Sequence, residues 1–518
     1  MTVTDIHAAA TPRSKTVDLG DGLIMRWSTK ADSQHVQDLV GDSFKWLLYG
    51  QPLEPGVIPG PNGIFKSGAR RLLTGKNATM SEFDYALVED TKRRGTDKNP
   101  IIACASLHRV RAYYGIVKLF FGKPELIATD PEYRNRGLVR RLLYDMIHPE
   151  SEARGDSLQF IPGIPHFYRQ FGYEYALCSF GASTIKNVQS LPSMPNGRTE
   201  PFTLRRATIA DIPYLVKLSE RENLSPKTPV GLFYGPEYWQ YTIHDFVEIK
   251  ENEYDTPRDT YIFVDAATGK DVGFTIITHL LGLKVEAIAL DKEHAPSWNE
   301  ILFPVLRQIV AEKKASLEAK KSKTKDPEVA KAIKTDGFSM LLQIHPHHPA
   351  YAILGTLVTP PQDQPGFRQM VRINDYPQFI RTVTPELERR LAESPMARFS
   401  GKLQIDFFRK VEGNKAKGIE IEFKKGKLVE VKDWAKQEPE KDVEDYLAIK
   451  ALGEEDQIPK VYEASLHPLT FNNLLTGERS FHDLIWSHGE TYCWDDATRL
   501  LIDILFPKCE QHVDTLYW

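Results

Sequence analysis

The chain has 518 residues, of which 41% are hydrophobic and 26% charged, and its formal net charge is -4. This length predicts about three domains, and the near-neutral charge excludes a field over the whole protein that would gather nucleic acid. The four cysteines form no CxxC pair, and no apolar run reaches the roughly 20 residues that span a bilayer. We therefore expect a cytoplasmic protein with no nucleic-acid partner, no membrane partner and no metal.

The first elements in chain order are a short strand, a polar turn and an amphipathic helix over residues 23–40, "LIMRWSTKADSQHVQDLV". The same pattern returns over residues 202–219, "FTLRRATIADIPYLVKLS". A second echo aligns "IATDPEYRNRGLVRRL" (127–142) with "IALDKEHAPSWNEIL" (288–302). The two internal similarities indicate that one unit is duplicated in the chain. Only the first copy keeps the arginines and the glycine. A chance match is the alternative.

The stretch "ATDPEYRNRGLVRRLL" (128–143) places four arginines and one glycine between an apolar strand and an apolar helix. Apolar residues recur at helical spacing from Leu138 onward, which puts Gly137 in the first turn of the helix. The free N–H groups of that turn and the positive end of the helix dipole favour phosphate oxygens, and the missing Cβ lets a ligand approach. The pattern predicts a pyrophosphate cradle. An exposed, arginine-rich helix start is the alternative.

The sequence around this corner predicts a continuous sheet. Residues 99–129 read as three antiparallel strands leading into it, and "SLQFIPGIPHFYRQFGYEYAL" (157–177) reads as a strand, a turn, a short helix and a last strand.

The later segments contain no clear catalytic or ligand-binding motif. The lysine-rich residues 311–337 predict a solvated helix and a surface loop, with a nucleic-acid arm as the alternative. The prolines in "HPHHP" (345–349) break the spacing that metal ligands need. From about Gly366 the sequence predicts a separate α+β domain. It opens with a helical segment, "FRQMVRINDYPQFIRTVTPELERRLAES", and continues with a three-strand meander and covering helices over "PLTFNNLLTG" and "ATRLLIDILF".

The motif "RNRGLV" resembles the acyl-CoA-binding motif of the GNAT acetyltransferases, and "FYRQFGYE" resembles that family's later tyrosine-bearing motif. Arg134 and Gly137 match the first motif, whereas Val139 stands where Gly or Ala is commoner. Nearly the whole chain resembles the Eis (enhanced intracellular survival) type. The implied fold is mixed α+β: a duplicated GNAT fold with a C-terminal sterol-carrier-protein-like domain. The expected domains are 1–196 (catalytic), 197–362 (without a pyrophosphate loop) and 363–518.

The resemblance implies acetyl-CoA as co-substrate and a set of residues that bind it: Ile127, Ala128, Thr129, Arg134, Asn135, Arg136, Gly137, Leu138 and Val139. By motif match Tyr168 is the proton donor to the coenzyme A thiolate, and packing between sheet and helix is its alternative role. The Eis type also uses the C-terminal carboxylate, which belongs here to Trp518. That carboxylate, with a pKa of about 3.5, would orient the amine and relay its proton through water. The expected acceptor residues are Trp27, Asp38, Asp42 and Trp46.

These features favour an acetyl-CoA-dependent N-acetyltransferase that acts on a primary amine of a small cationic molecule, such as a polyamine, an aminoglycoside-like compound or a lysine-like compound. A protein lysine acetyltransferase is the nearest alternative. A noncatalytic acyl-CoA sensor or a lipid-binding protein stands further away, because Arg134, Gly137 and Tyr168 are all intact. Assembly into a homo-oligomer is compatible with the resemblance.

Overall fold

The computed structural model describes residues 13–44, 63–164, 166–179, 183–220, 229–250, 258–279, 282–293, 297–325, 327–345, 347–359, 367–409, 416–436 and 460–513. Its strands are β1 Thr16–Gly20, β2 Leu23–Trp27, β3 Tyr85–Asp90, β4 Ile101–Tyr114, β5 Val117–Thr129, β6 Leu158–Pro162, β7 Glu174–Ser179, β8 Ser183–Ile185, β9 Phe202–Arg206, β10 Val230–Leu232, β11 Arg258–Asp265, β12 Asp271–Thr278, β13 Leu283–Leu290, β14 Met340–Leu342, β15 Phe367–Arg372, β16 Gly401–Asp406, β17 Gly418–Lys424, β18 Lys427–Asp433, β19 Val461–Ser465, β20 Tyr492–Cys493 and β21 Gln511–His512.

The α-helices are α1 Ser33–Phe44, α2 Gly63–Leu72, α3 Leu138–Arg141, α4 His148–Ala153, α5 Ile212–Leu218, α6 Pro236–Gln240, α7 Phe246–Ile249, α8 Trp298–Lys323, α9 Pro327–Ala332, α10 Pro349–Leu354, α11 Tyr376–Ala392, α12 Pro468–Thr476, α13 Phe481–Ser487 and α14 Asp496–Leu505. A π-helical stretch, Leu142–Ile147, joins α3 to α4, so residues 138–153 form one continuous helix.

The first sheet has ten strands drawn from distant parts of the chain. Strands β1 to β6 are neighbours in chain order, and β15 and then β7 follow at one edge. β10 pairs antiparallel with β4, and β21 pairs parallel with β10. Helices α1 and α2 pack on one face and the continuous helix 138–153 on the other, so the predicted strand–corner–helix lies at the centre of this sheet.

The insertion of β15 differs from the sequence prediction for its segment. Residues 376–392 are helical as expected, but residues 367–372, predicted as the start of that helix, form a strand that pairs with β6 on one side and β7 on the other. The local sequence carries few cues for this strand, because its partners lie about two hundred residues upstream and supply the pairing that overrides helical propensity.

The second sheet has six strands, in the order β8, β14, β13, β12, β11, β9. Its opening strand and helix repeat the geometry of the first unit. Arg26 of β2 pairs with Asp32 at 2.7 Å, and Arg205 of β9 pairs with Asp211 at 2.8 Å. Each aspartate also closes a capping box with a threonine three residues earlier. These matched contacts support the duplication inferred from the sequence.

The third sheet has five strands, β18, β17, β16, β19 and β20, of which β16 to β18 form the predicted meander. The two predicted covering helices are present as α12 and α14. One hydrophobic cluster contains side chains from all three parts of the chain, including Phe121, Phe274 and Phe471. The fold class is therefore mixed α+β, with three sheets packed around a shared core. No helix within the described ranges is both long and apolar enough to cross a bilayer.

Candidate active site

A cleft opens in the first sheet between β5 and β6. The two strands run parallel, but they pair only at Phe121 with Leu158 and at Gly122 with Gln159. Beyond Gly122, β6 turns to pair with β15. In the part of the chain that the structure describes, the second half of β5 therefore has backbone groups free on this side, which an extended ligand can use.

A β-bulge shapes the free half of β5. Glu125 lies opposite Ser106 and Ala128 opposite Cys104, so Leu126 and Ile127 together face the single residue between them on β4. Leu126 has a φ of 46°, which is uncommon for a residue with a side chain. Bulges re-aim the backbone and are frequent beside active sites. The strand ends at Thr129, whose Oγ1 is buried and has no hydrogen-bond partner among the described residues.

The corner after β5 presents an open helix N-terminus. Asn135 has a φ of 63°, and Gly137, the N-cap of α3, has a φ of 72°. No side chain caps the first N–H groups of α3, and a Cβ on Gly137 would meet no atom within 4 Å. Since the helix continues to Ala153, its dipole and free N–H groups point at solvent-accessible space. This geometry is one that suits a phosphate group.

The four arginines of the corner differ in the contacts that they make with neighbouring residues. Arg136 lies over the ring of Tyr133 at 4.6 Å and donates to the carbonyl of Glu132. Arg140 lies over the ring of Phe171 at 5.1 Å, and Arg141 pairs with Asp145. The guanidinium of Arg134 has no ion pair with any residue in the described ranges, so it is the arginine most available to an incoming anion.

Tyr168 lies in a short 3₁₀-helix, Phe167–Phe171, and is only 6% exposed. Its ring belongs to a hydrophobic cluster that Ile127 of β5 and Val139 of α3 also contact. The structure thus brings together the bulged strand, the helix start and the tyrosine that the sequence assigned to one site. Burial raises the pKa of the Tyr168 phenol, so it remains protonated near neutrality and can act as an acid.

A buried network of hydrogen bonds lies next to Tyr168. Tyr173 packs against Tyr168 with ring centroids 6.0 Å apart, and its hydroxyl donates to Oε1 of Gln159 at 2.6 Å. His148 Nε2 lies 3.2 Å from the same hydroxyl. Met370 of β15 belongs to the same hydrophobic cluster as Tyr168. Strand β15, which comes from the third part of the chain, therefore contributes to the hydrophobic core next to the site.

Sequence reasoning missed a buried charged cluster on the other face of β5. Lys123 Nζ lies 3.0 Å from Glu125 Oε2, and His108 Nε2 lies 3.7 Å from the same oxygen. Burial, and then the charges of Lys123 and Arg154, hold the pKa of His108 well below its ordinary value, so this imidazole is neutral. The cluster lies immediately before the bulge.

A signal for this cluster was present in the sequence. When Ala128 is aligned with Ala289, Lys123 and Glu125 coincide with Lys284 and Glu286 in the second unit. The Lys-x-Glu pair therefore recurs in both copies, and in the second copy Glu286 pairs with Arg258 at 3.0 Å. This recurrence on interior strands of both sheets favours a structural role for the pair.

The second unit has a closed helix start where the first has an open one. Ser297 caps α8 and forms a capping box with Glu300. The N–H and the hydroxyl of Ser297 both donate to the carboxylate of Glu300 at 2.9 Å, and Trp298 stands where the first unit has Gly137. The start of α8 therefore differs from the uncapped start of α3.

The expected acceptor residues are placed only in part. Trp27 is 4% exposed, packs in the core of the first unit and lies under the guanidinium of Arg13. Asp38 is half-buried and accepts from Gln34 and Lys66; although burial opposes it, these contacts lower the pKa of Asp38. Asp42 lies in the same helix, α1. Trp46 and Trp518 lie outside the described residues.

The histidines of the "HPHHP" stretch serve the fold. His348 caps α10, accepting from the N–H of Ala350 at 3.1 Å, and His347 pairs with Glu510 at 3.2 Å. Among the described residues, the one cluster with the spacing of metal ligands is His244, Asp245 and Glu248, and Lys76 pairs with Glu248.

A protein-family model described as an acetyltransferase (GNAT) domain matches residues 72–176, which include β5, the open corner and Tyr168. The class follows from this match: the chain is an acetyltransferase enzyme with a GNAT domain, and the GNAT fold supports acyl-CoA-dependent N-acetylation in general. No curated protein sequence matches the chain significantly.

Solved structures extend the likeness over the whole chain. A GCN5-related N-acetyltransferase from Kribbella flavida is 16% identical, with 95% of this chain and 97% of that chain covered and a TM-score of 0.54. A conserved protein of unknown function from Enterococcus faecalis V583, a probable N-acyltransferase, is 15% identical, with 97% and 100% covered and a TM-score of 0.60. Eis1 from Mycobacterium abscessus is 13% identical, with 96% and 100% covered and a TM-score of 0.50. At these identities the likeness establishes the fold.

Proposed function

We propose that this enzyme transfers the acetyl group of acetyl-CoA to a primary amine of a small cationic molecule of the polyamine, aminoglycoside-like or lysine-like class. The observation that carries this proposal is the convergence of three features on one cleft: the free edge of β5, the uncapped start of α3 and the protonated Tyr168. An enzyme that moves an acetyl group from a thioester needs these three elements for the cofactor backbone, its pyrophosphate and its leaving thiolate.

In this proposal, acetyl-CoA lies along the free half of β5. The backbone of Ile127, Ala128 and Thr129 would bind the thioester and pantetheine. The N–H groups from Asn135 to Val139, with Arg134 and Arg136, would hold the pyrophosphate. Val139 replaces a commoner Gly or Ala, but it is only partly buried against the cluster and leaves the start of α3 open.

The reaction would proceed by direct attack. The neutral amine attacks the thioester carbonyl, the carbonyl oxygen gains negative charge, and the C–S bond then breaks. Tyr168 donates its proton to the departing thiolate and regains one from solvent. The α-carboxylate of Trp518 would orient the ammonium and relay its proton through water to solvent, which leaves the neutral amine, and the second proton that the nitrogen loses after the attack would leave through the same water.

The acceptor would enter from the side of α1. Asp38 and Asp42 supply negative charge there, and Trp27 and Trp46 are the aromatic residues near them in sequence. Negative charge at this entrance would favour cationic amines over neutral ones, whereas Trp27 is buried in the core of the first unit and would not contact the acceptor. We extend the proposal to the three-part Eis-type organisation, with a sterol-carrier-protein-like third domain, a cytoplasmic location and assembly into a homo-oligomer.

The deciding experiment measures thiol release from acetyl-CoA by the full-length protein with a panel of polyamines, aminoglycosides and amino acids. Release that depends on one class of amine, together with a mass increase of one acetyl group on that amine, is the expected result. If acetyl-CoA binds but no small amine promotes release, the proposal fails. A lysine-containing peptide panel would then test the protein-acetyltransferase alternative.

A further inference from the structure

Lys123 and Glu125, the buried pair on β5, lie at the closed end of the cleft. β5 separates from β6 after Gly122, so Lys123 is the first residue of the free half of β5. Glu125 follows two residues later, and from Glu125 to Ile127 the strand extends by about 7 Å. In the proposed function the thioester binds at Ile127. The side chains of the pair would therefore lie next to the reacting end of acetyl-CoA.

Both side chains project toward the face of the sheet that α1 and α2 cover. On β4, Cys104 packs in one hydrophobic cluster with residues of α1 and α2, and alternate residues of a strand share a face. Ser106 and His108 therefore lie on that face too, and they are the β4 partners of Glu125 and Lys123. In the proposed function the acceptor enters from this side, so the pair lies between the acceptor and the thioester.

The polar atoms around this pair lack the hydrogen bonds that buried groups need. Lys123 is 1% exposed, and Tyr85, on the neighbouring strand β3, is fully buried. Four atoms have no hydrogen-bond partner among the described residues: Lys123 Nζ, Glu125 Oε2, His108 Nε2 and the hydroxyl of Tyr85. The ammonium and the carboxylate lie 3.0 Å apart but do not satisfy each other's hydrogen-bonding capacity. Because unpaired buried groups are costly, four in one place indicate a site that another polar molecule completes.

The second unit shows the same pair with a partner from its own chain. Lys284 and Glu286 correspond there to Lys123 and Glu125. The Nε of Arg258 donates to the carboxylate of Glu286 at 3.0 Å, so this acid is held by a hydrogen-bonded cation. No arginine of the described ranges makes such a bond to Glu125. The pair thus belongs to the fold in both units, and in the first unit its acid keeps hydrogen-bonding capacity for a ligand.

We propose that Lys123 and Glu125 bind the α-amino-carboxylate group of the acceptor, which makes the acceptor a free amino acid with a basic side chain. This inference rests on the proposed function and narrows its acceptor to the lysine-like class. A cation and an anion 3.0 Å apart are complementary to a zwitterion: the acceptor's carboxylate pairs with Lys123 and its α-amino group with Glu125. The α-amine is then the amine nearest the thioester, and the side-chain ammonium extends toward Asp38 and Asp42 of α1.

The charge of Lys123 disfavours a polyamine or an aminoglycoside at this position. Either ligand would bring a second ammonium beside a buried one, and like charges repel strongly where water is excluded. Neither ligand has a carboxylate that could accept from the Nζ of Lys123. An amino acid supplies both the missing acceptor and the missing donor, so the charge of the site stays balanced when it binds.

The first test compares three acceptors with the full-length wild-type protein at saturating acetyl-CoA. Cadaverine is lysine without its carboxylate, and lysine methyl ester keeps the carbon skeleton but loses the negative charge. We expect kcat/KM for lysine to exceed that for either analogue by about 100-fold, because each leaves the ammonium of Lys123 unpaired. Fragmentation mass spectrometry should place the acetyl group on the α-nitrogen. Equal kcat/KM for lysine and cadaverine, or acetylation of the side-chain nitrogen alone, would overturn the inference.

The second test removes the pair without leaving a buried charge alone. The double variant Lys123→Met with Glu125→Leu should bind acetyl-CoA normally in a direct titration and lose the preference for lysine over cadaverine. Arg111→Met with Glu237→Leu is the matched control, since it removes another buried ion pair, between β4 and α6, and should keep that preference. Tyr85→Phe removes one hydroxyl of the site and should lower the preference about 5-fold; it serves should the double variant fail to fold. An unchanged preference in a folded variant would overturn the inference.

A binding measurement separates this inference from the proposed function. If no amine is acetylated, the proposed function is wrong, and lysine and lysine methyl ester are then titrated calorimetrically into the full-length protein saturated with acetyl-CoA. Binding of lysine at least 10-fold tighter than binding of its ester would support an amino-acid site at the pair. Equal binding, or no binding of either, would mean that ordered water alone completes the cluster, and the inference would be wrong.

Discussion

The ring of Tyr168 occupies the space that a side chain on Gly163 would need. A Cβ built on Gly163 would lie 2.4 Å from Cε2 of the tyrosine. Gly163 directly follows β6, so the strand end that borders the cleft is also the surface on which the proposed acid rests. The glycine is therefore required by a contact, since its backbone conformation is open to any residue.

Gly163→Ala should displace Tyr168 and slow the chemical step. Because a shift of about 1 Å at a reacting group costs about 10²-fold in rate, we expect kcat to fall by roughly that factor while the affinity for acetyl-CoA is retained. Steady-state kinetics and a direct binding titration test this. Gly489→Ala is the control, because a Cβ there meets no atom within 4 Å. A normal kcat in Gly163→Ala would show that the position of the ring is not critical.

Tyr168→Phe should remove the proton donor and leave the packing intact. We expect kcat to fall by about 10² or more with little change in acetyl-CoA affinity. Because burial raises the pKa of Tyr168, deprotonation of this residue should cause no loss of kcat in the wild type up to at least about pH 10. A variant that keeps its rate would show that Tyr168 is not the proton donor and would favour its alternative role, packing between sheet and helix.

The parts of this fold that are determined by residues close together along the chain were predictable from the sequence. The corner at Gly137 and the repeated Arg, Thr and Asp pattern obey helix-start rules that act within a few residues. The insertion of β15 was not predictable, because it is decided by strands far away in the chain. The Lys-x-Glu repeat was visible when the two units were aligned with each other. The sequence could not show that these side chains are buried together, because that burial arises only when the sheet packs.

The open start of α3 and the closed start of α8 predict one acetyl-CoA site per chain. Gly137→Ser should strain the left-handed backbone and place a hydroxyl over the free N–H groups, which we expect to weaken acetyl-CoA binding about 10-fold or more. Ser297→Ala should leave binding unchanged and lower stability by about 1 kcal/mol through loss of the cap. Isothermal titration gives both the stoichiometry and the affinities. Two sites per chain, or loss of binding in Ser297→Ala, would contradict this assignment.

Lys123→Met should destabilise the fold strongly. It leaves the buried carboxylate of Glu125 without its 3.0 Å partner, and such a loss costs about 3–5 kcal/mol. Adding Glu125→Leu should recover much of that loss, since no buried charge is then left unpaired. Lys427→Met, in the exposed pair with Glu388, should cost no more than about 1 kcal/mol. Urea unfolding compares the variants. Equal effects at the two lysines would mean that the interior pair is solvated.

His348 should make the protein less stable as the pH falls below neutrality. Its Nδ1 accepts from the N–H of Ala350 and its Nε2–H donates to the carbonyl of Ile288 at 3.3 Å, so the neutral ring is required. Burial lowers the pKa of His348 to about 4, whereas an unfolded histidine titrates near 6.5. Between these values the unfolded chain binds the extra proton, so stability present above pH 6.5 is lost at up to about 1.4 kcal/mol per pH unit.

The variant His348→Asn isolates this contribution. Asparagine is a favoured N-cap, so it can replace the acceptor for Ala350 without titrating. The unfolding free energy, measured by urea denaturation from pH 7.5 to 4.5, should fall less steeply with pH in the variant than in the wild type. The two slopes should differ by up to one proton, and the difference in free energy between the two proteins should stay constant above pH 7. Two other buried histidines, His108 and His148, also have lowered pKa values and act with the same sign in both proteins, so they cancel in the comparison. Parallel pH profiles would mean that His348 titrates alike in the folded and unfolded states, which would contradict the neutral ring that its bond from Ala350 requires.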